Sequence, residues 1–316
     1  MTRGVLQKIF VDHGLLFIFA GVFIYFSFAT EGFLSVGNMV TVSRYSAEML
    51  LLVFAFCLVF ISGEFDLSFM YLFPLTSIIF AYMITKQGWP ILPALGLLFL
   101  VAIIAGLGSG TLTIYVGLPS FFATISVAFV CYGLIHAITG PYSIPAYFPP
   151  WVSFIGKGTI GPIPFGLVLA LIVFVGLFFL LGRTRFGRQL YAVGDDREAA
   201  RNMGVRVNLY KMLAFVISGL LIGGAGLIYA SRLSSGQATA GPGFMLPVLA
   251  AVFLGMTMFK VGRATIYGAL IGAFFMNIIN NGLIQMGIPF YWQPFASGIV
   301  LIGAVLVTIA REKIEI

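Results

Sequence analysis

Long runs of apolar residues, separated by short polar connections, dominate this chain. Leu50–Ser62 and Phe165–Leu181 are apolar at nearly every position and show no alternation of apolar and polar residues. A transmembrane helix needs about 20 apolar residues, whereas a transmembrane strand shows about ten residues of strict alternation. The pattern therefore predicts helices that cross a membrane.

Ten such segments can be delimited along the sequence. Their ranges are 14–32, 47–62, 67–84, 91–114, 119–138, 163–182, 209–230, 245–259, 264–284 and 293–310. The eighth is short, and we expect it to be a broken helix of the kind that transporters use near their substrate path. The predicted fold class is all-α, a polytopic transmembrane bundle of about ten spans, in a single domain over residues 1–316.

Composition supports a membrane protein. Hydrophobic residues make up 60% of the 316 positions and charged residues only 9%, whereas a soluble domain carries roughly 25% charged residues. A water-soluble fold could not bury this much apolar surface, so the bilayer must act as the solvent.

The net charge of +7 reflects topology rather than nucleic-acid binding. If both termini are cytoplasmic, 13 of the 17 Lys and Arg residues lie on the cytoplasmic side of the membrane. The four on the external side are Arg44, Lys86, Lys157 and Arg232. Basic residues concentrate on the cytoplasmic side of membrane proteins. The bias predicts cytoplasmic termini and an even number of spans.

The longest connection on the predicted outer side is Gly140–Pro162, which is rich in proline and aromatic residues. One interpretation is an aromatic belt at the membrane interface. The other is a docking surface for an external partner.

Motifs for nucleotide hydrolysis or metal catalysis are absent from the sequence. Gly156–Thr159 resembles the end of a phosphate-binding loop, but Trp151 stands where its first glycine is required. We therefore expect no catalytic residues and no cofactor on this chain. Energy for active transport would come from a partner or from an ion gradient.

A short helix is predicted in the basic connection between the sixth and seventh segments. Asp195 or Asp196 can cap its first turn, and Gly204 suits a left-handed stop. Arg197 and Arg201 are four residues apart and so share a face. The helix is either a solvated connection or a rigid knob that fits a groove on a soluble motor protein. The candidate coupling residues are Asp195, Asp196, Arg197, Glu198, Ala199, Ala200, Arg201 and Gly204.

Four polar residues inside or between apolar segments are candidates for the solute pathway or its gate. Glu64 and Asp66 lie between two apolar runs, where they either line the path or cap the following helix. Asn280 and Asn281 either contact solute or bond across helices.

Several segments in the same order resemble the ribose/monosaccharide type of ABC permease. Gly187–Val205 resembles the coupling helix of that family, and Ser62–Ser68 resembles its GGIDLS turn. Ala230–Val252 is similar to its external loop and following half-helix, and Leu254–Ala264 is similar to its LGGTS motif with the glycines after it. The resemblance covers nearly the whole chain.

The resemblance implies a permease subunit of an ATP-driven, binding-protein-dependent importer in the bacterial inner membrane. The solute would be small and polar, a monosaccharide or a related polyol. ATP and Mg²⁺ would bind to separate ATPase subunits, and the other partners would be a periplasmic solute-binding protein and a second permease. A branched-chain amino acid or nucleoside permease of the same fold, or an ion-coupled secondary transporter, remains an alternative.

Departures from the family pattern bear on assembly. Glu64 stands where the family has Gly, and Asp195 and Asp196 replace a Gly-Asn pair. Met245 and Pro247 replace an acidic pair in the external loop. These changes leave two arrangements open, a pair of identical copies and a heterodimer in which this chain is the divergent half beside a paralogous permease.

Overall fold

Helices form most of the computed structural model, which describes residues 19–140, 142–258 and 262–315, with side chains through residue 308. Within each helix the backbone polar groups pair with one another, as a lipid environment requires. The helices in the described residues are α1 (Phe19–Ala29), α2 (Val36–Ile61), α3 (Phe69–Thr85), α4 (Ile91–Ile114), α5 (Ser120–Thr139), α6 (Pro150–Lys157), α7 (Phe165–Arg183), α8 (Arg185–Asp195), α9 (Arg197–Asn202), α10 (Val207–Leu233), α11 (Pro242–Met258), α12 (Ile266–Gln285) and α13 (Trp292–Glu315).

Two pairs of very short antiparallel strands fix the loops on either side of α6. β1 (Ile144–Pro145) pairs with β4 (Ser235–Gly236), and Ile144 lies opposite Gly236. β2 (Thr159–Ile160) pairs with β3 (Ile163–Pro164). These two-residue strands are too short to leave an alternating pattern, and the sequence did not predict them.

The apolar helices match the ten predicted segments in order. Six of them, α2, α4, α5, α7, α10 and α12, are long and apolar enough to cross a membrane. Shorter apolar helices cover Phe19–Ala29, Phe69–Thr85, Pro242–Met258 and Trp292–Thr308. An all-α, multi-pass membrane architecture is therefore confirmed. The break expected in the eighth segment does not occur within Pro242–Met258, where α11 is continuous despite Pro247.

The contacts between residues divide the chain into two compact units. One contains residues up to Ser46 and from Leu246 onward, and the other is Ala47–Met245.

In the unit Ala47–Met245, α2 forms the most enclosed segment. Every residue from Ala47 to Val59 is buried, which explains why the sequence of this helix shows no polar face. Large aromatic side chains, among them Phe54, Phe56 and Phe73, are fully buried there and on α3.

Close approach of α4 and α10 depends on glycine. A Cβ on Gly106 would lie 2.5 Å from the Phe215 carbonyl oxygen, and one on Gly219 would meet the carbonyl oxygen of Ala102. Gly223, one turn further, would bring a Cβ within 3.0 Å of the Ala102 Cβ. Gly219 and Gly223 thus have the small-xxx-small spacing that lets two membrane helices approach closely.

The connection 140–162 packs on the end of α10 through α6. Val152 is buried, and its carbonyl oxygen accepts a hydrogen bond from the Ser231 hydroxyl. The side chains of Trp151 and Phe154 are 51% and 43% exposed. An aromatic surface is therefore present. The two interpretations of it, an aromatic belt at the membrane interface and a docking surface for a partner, both stay predictions.

In the other unit, α11 and α12 also meet through glycine. A Cβ on Gly268 would lie 2.5 Å from the Gly255 carbonyl oxygen, and one on Gly272 would meet the carbonyl oxygen of Ala251. The two backbones are therefore in contact, as the Gly268/Gly272 spacing predicts.

Candidate functional site

Helix α8 connects α7 to the segment predicted as a coupling helix. The hydroxyl of Thr184 accepts a hydrogen bond from the first turn of α8, and Leu190 and Val193 are buried on one side. Because charged residues such as Arg185 and Arg188 interrupt the apolar residues of α8, no apolar run marks this helix, and the sequence did not separate α8 from α9.

Helix α9 follows directly, and its ends are those that the sequence predicts. The Asp196 carboxylate accepts hydrogen bonds from the N–H groups of Glu198 and Ala199, each at 2.9 Å. Gly204 has a φ of +80°, the left-handed conformation that favours glycine. Asp195 is instead the last residue of α8, and α9 itself covers only Arg197–Asn202.

The small residues of α9 do not form an exposed surface. Ala200 is fully buried in an apolar cluster with Val193 of α8 and Val207 of α10. Ala200, one of the candidate coupling residues, therefore offers no exposed side chain to a partner. The cluster instead fixes α9 onto the helices before and after it.

Charged residues form the exposed face of α9. Arg197, Glu198 and Arg201 are all exposed. Neither arginine has a carboxylate within 4 Å in the part of the chain that the structure describes. Both guanidinium groups can therefore bind an acidic surface without breaking an internal ion pair.

The turn between α2 and α3, residues Ser62–Ser68, holds the two acidic pathway candidates. Asp66 is 1% exposed, and its carboxylate accepts hydrogen bonds from the N–H and the hydroxyl of Ser68, at 3.0 and 2.6 Å. Its second oxygen accepts from the Ser218 hydroxyl of α10 at 2.6 Å. Asp66 thus fixes Ser68, the residue directly before α3, and also ties the turn to α10.

Glu64 has a different partner. Its carboxylate lies 2.5 Å from the ammonium group of Lys211 on α10, and the two side chains are 16% and 7% exposed. The interpretation of Glu64 as a helix cap is therefore wrong, because its carboxylate forms an ion pair instead. A role for Glu64 in the solute path stays a prediction.

The end of α8 touches the same turn. A Cβ on Gly194 would meet the carbonyl oxygen of Ile61 and would lie 3.2 Å from the Gly63 nitrogen. Gly63 itself has a φ of +81°. The backbones of α8 and of the α2–α3 turn are therefore in direct contact.

The asparagines of α12 have two different environments. Asn281 and Asn38 of α2 exchange amide hydrogen bonds of 2.8 and 2.9 Å, and Gln285 adds another to Asn38. Bonding across helices is therefore confirmed for Asn281. The Asn280 side-chain oxygen is buried and has no hydrogen-bond partner in the described residues, which leaves Asn280 as a pathway candidate.

Sequence reasoning missed the basic partners of the buried acids. Besides Lys211, Arg232 donates two hydrogen bonds to the fully buried Glu48 of α2, at 2.9 and 2.5 Å. A charge inside an apolar helix normally has an opposite charge nearby. That rule predicts a basic partner for each buried acid, but it does not say which Lys or Arg of the chain is the partner.

The candidate residues supply charge and hydrogen bonds rather than metal ligands. Within the described residues, no three His, Cys, Asp or Glu side chains lie where they could hold a metal ion. The chemistry that is present consists of exposed charges on α9 and a hydrogen-bonded turn that joins α2, α3 and α10.

Comparison with known proteins gives consistent matches along the chain. A family model described as the permease component of branched-chain amino acid transport systems matches residues 38–305. The chain is 31% identical to the probable ABC transporter permease protein YphD of Escherichia coli K12, over 94% of this chain and 89% of that protein. It is 33% identical to the ribose import permease protein RbsC of Bacillus subtilis 168, over 96% and 93%.

A third relative matches a shorter stretch. The autoinducer 2 import system permease protein LsrC of Klebsiella pneumoniae is 35% identical over 65% of this chain and 60% of that protein. No solved structure matches. The family match runs from α2 into α13 and includes α8, α9 and the α2–α3 turn. The chain therefore belongs to this family of ABC transporter permeases.

Proposed function

We propose that this chain is the transmembrane permease subunit of an ATP-driven importer of a monosaccharide or a related polyol. The observation that carries the proposal is the family match over residues 38–305, together with full-length similarity to a ribose import permease. A periplasmic binding protein delivers the solute, and ATPase subunits that bind ATP and Mg²⁺ drive its passage.

The exposed face of α9 supports docking of an ATPase. Arg197 and Arg201 lie on one side of the helix and lack internal carboxylate partners in the described region. An acidic groove on the ATPase would complement them. In this proposal Asp196 and Gly204 set the ends of the docking helix. Ala200 holds the helix in place by packing against α8 and α10.

Ten membrane spans with both termini in the cytoplasm fit the charge distribution. Six long and four shorter apolar helices supply the spans. The connection that holds α8 and α9 then lies in the cytoplasm of a bacterium, and the connection 140–162 faces the binding protein. The membrane is the bacterial inner membrane.

A second permease subunit completes the pathway. The departures from the family pattern at Glu64, Asp195, Asp196, Met245 and Pro247 favour a paralogous partner over a second copy of this chain. Affinity purification of this chain in mild detergent would identify the partner. Recovery of an active complex with only this permease would contradict the heterodimer.

The solute class has one specific competitor. The description of the family names branched-chain amino acids, so an amino acid or nucleoside importer of the same fold is the second candidate. An ion-coupled secondary transporter has less support, because Glu64 is engaged by Lys211 and Asp66 by hydroxyl groups. A carrier for cations needs carboxylates that are free to bind and release them.

Transport by the reconstituted complex tests the proposal. The permease is purified with its co-purifying ATPase and placed in proteoliposomes with its binding protein outside and ATP inside. We expect uptake of labelled ribose or another monosaccharide that requires ATP and the binding protein. Uptake that persists without ATP and stops when an ionophore collapses the ion gradients would overturn it. Uptake of leucine but of no sugar would move the solute to the second candidate.

A further inference from the structure

The α2–α3 turn is fixed by contacts to three other parts of the chain. Two of its N–H groups, those of Phe65 and Leu67, donate to hydroxyl groups at the start of α5, each at 3.0 Å. Its Glu64 carboxylate contacts α10, and its backbone touches the end of α8 at Gly194. The turn cannot shift without moving α3, because α3 begins at Phe69, directly after it.

The backbones of α8 and of the α2–α3 turn are in close contact. The close approach of Gly194 to Ile61 and Gly63 leaves no room even for a methyl group. Packed protein elements transmit small displacements because their contacts are close to van der Waals distance. A displacement of α8 towards the turn must therefore displace the turn.

The contact with α10 lies close to α9. Ala200 of α9 packs against Val207, the first residue of α10, and Lys211 follows one helical turn later. Lys211 then reaches Glu64. A second short route therefore leads from α9 to the same turn, and it ends in an ion pair.

We propose that the Glu64–Lys211 ion pair is a positioning contact that transmits movement of α8 and α9 to the α2–α3 turn, and so couples ATP hydrolysis to movement of α3. This inference rests on the proposed function, in which α9 docks on an ATPase. Glu64 and Lys211 act through the elements that they join and contact neither ATP nor solute in this role.

An ion pair suits this role because it transmits movement when the two elements are pulled apart as well as when they are pushed together. The apolar cluster around Ala200 resists compression but can slide, whereas the paired charges are mostly enclosed, and separating them would leave each charge without a partner in a poorly solvated site. When α10 moves away, the pair pulls the turn with it. The Gly194 contact acts only when the elements are pushed together.

The chain offers a matched control at the opposite end of the same helix. Arg232 of α10 pairs with Glu48 of α2, also in a buried setting. Lys211 and Arg232 are about 30 Å apart along α10 at a rise of about 1.5 Å per residue. Both pairs join α10 to α2 or its end, but only Glu64–Lys211 adjoins α8 and α9.

The test compares neutral versions of the two pairs in the complete reconstituted complex. Glu64→Gln/Lys211→Met and Glu48→Gln/Arg232→Met each remove both charges, so no buried charge is left unpaired. Solute transported and ATP hydrolysed are measured together in proteoliposomes. In the Glu64→Gln/Lys211→Met complex we expect retained ATPase and retained basal hydrolysis, with about tenfold less solute moved per ATP, within the roughly 5- to 150-fold range of coupling between sites.

The control and a charge reversal separate coupling from stability. The Glu48→Gln/Arg232→Met complex should keep the wild-type ratio, and the swap Glu64→Lys/Lys211→Glu should recover most of it. A wild-type ratio in the Glu64→Gln/Lys211→Met complex, or an equal loss in the control, overturns the inference.

The test also covers a variant permease that does not assemble and a wild-type complex that does not transport. If the Glu64→Gln/Lys211→Met permease does not assemble, the isosteric single variant Glu64→Gln tests the same pair, because it removes the ionic attraction and keeps an oxygen that can accept a hydrogen bond from Lys211. A wild-type ratio in that complex also overturns the inference. If the wild-type complex itself shows no ATP-dependent uptake, the proposed function fails and the inference falls with it. A wild-type complex that transports normally isolates any failure to the inference alone.

Discussion

At the scale of single residues, the buried acids are each matched by a donor from a distant part of the chain. The local part of this pattern was predictable, since an Asp side chain favours the turn that Asp66 forms by accepting a hydrogen bond from the N–H of Ser68, two residues on. The long-range part was not, because Lys211 and Ser218 lie 147 and 152 positions from their partners. No local rule of spacing reaches that far, and only the packing of α10 against the α2–α3 turn selects them.

Removal of the Ser218 hydroxyl tests how much the Asp66 network contributes to stability. Both residues are buried, so Ser218→Ala leaves a carboxylate oxygen without its donor, at a cost of about 1–3 kcal/mol. We expect the melting temperature in detergent to fall by several degrees, at roughly 2–4 °C per kcal/mol for a domain of this size. Ser143→Ala is the control, because its hydroxyl bonds to Gln237 at the surface. An unchanged melting temperature for Ser218→Ala would mean that water replaces the hydroxyl.

At the scale of helices, runs of apolar residues located the ten apolar helices that match the predicted segments, but not all of their ends. The second helix begins at Val36 rather than near residue 47, because polar residues such as Asn38 and Ser46 continue the helix and bond across to α12. Helix α8 escaped separate prediction because only Leu190 and Val193 on one side are fully apolar and buried. The ends of α9 were predictable because Asp196 and Gly204 act through the backbone next to them.

Charge reversal on α9 tests its proposed docking role. Arg197→Glu and Arg201→Glu change exposed side chains, so the permease should still fold and insert. Repulsion from an acidic partner surface should weaken ATPase binding, and each 1.4 kcal/mol lost corresponds to about a tenfold weaker complex. The measurement is the amount of ATPase retained on the immobilised permease.

Two comparisons make that experiment specific. Lys86→Glu makes the same change of charge at an exposed site between α3 and α4 and should retain the ATPase. Ala200→Glu should instead disrupt folding of the segment, because Ala200 is fully buried. Full ATPase retention by both arginine variants would remove the docking role from this face of α9.

At the scale of the whole molecule, orientation follows from the distribution of basic residues. Ten spans with cytoplasmic termini place only Arg44, Lys86, Lys157 and Arg232 outside. The opposite orientation would place the basic connection around α8 and α9 outside, against the bias that governs insertion. This orientation is a prediction that chemical labelling can measure directly.

Labelling of single introduced cysteines in intact cells makes that measurement. The native Cys57 and Cys131 are buried and should not react with a membrane-impermeant maleimide, so no cysteine-free background is needed. We expect Lys157→Cys to react from outside and Arg201→Cys to react only after the membrane is opened. A reporter fused after Ile316 should be active only if it is one that functions in the cytoplasm. External labelling of Arg201→Cys would reverse the orientation and remove α9 from the reach of any cytoplasmic ATPase. An external reporter together with external Lys157→Cys would instead require an even number of spans between Lys157 and Ile316, and α11 or α13 would then not cross the membrane.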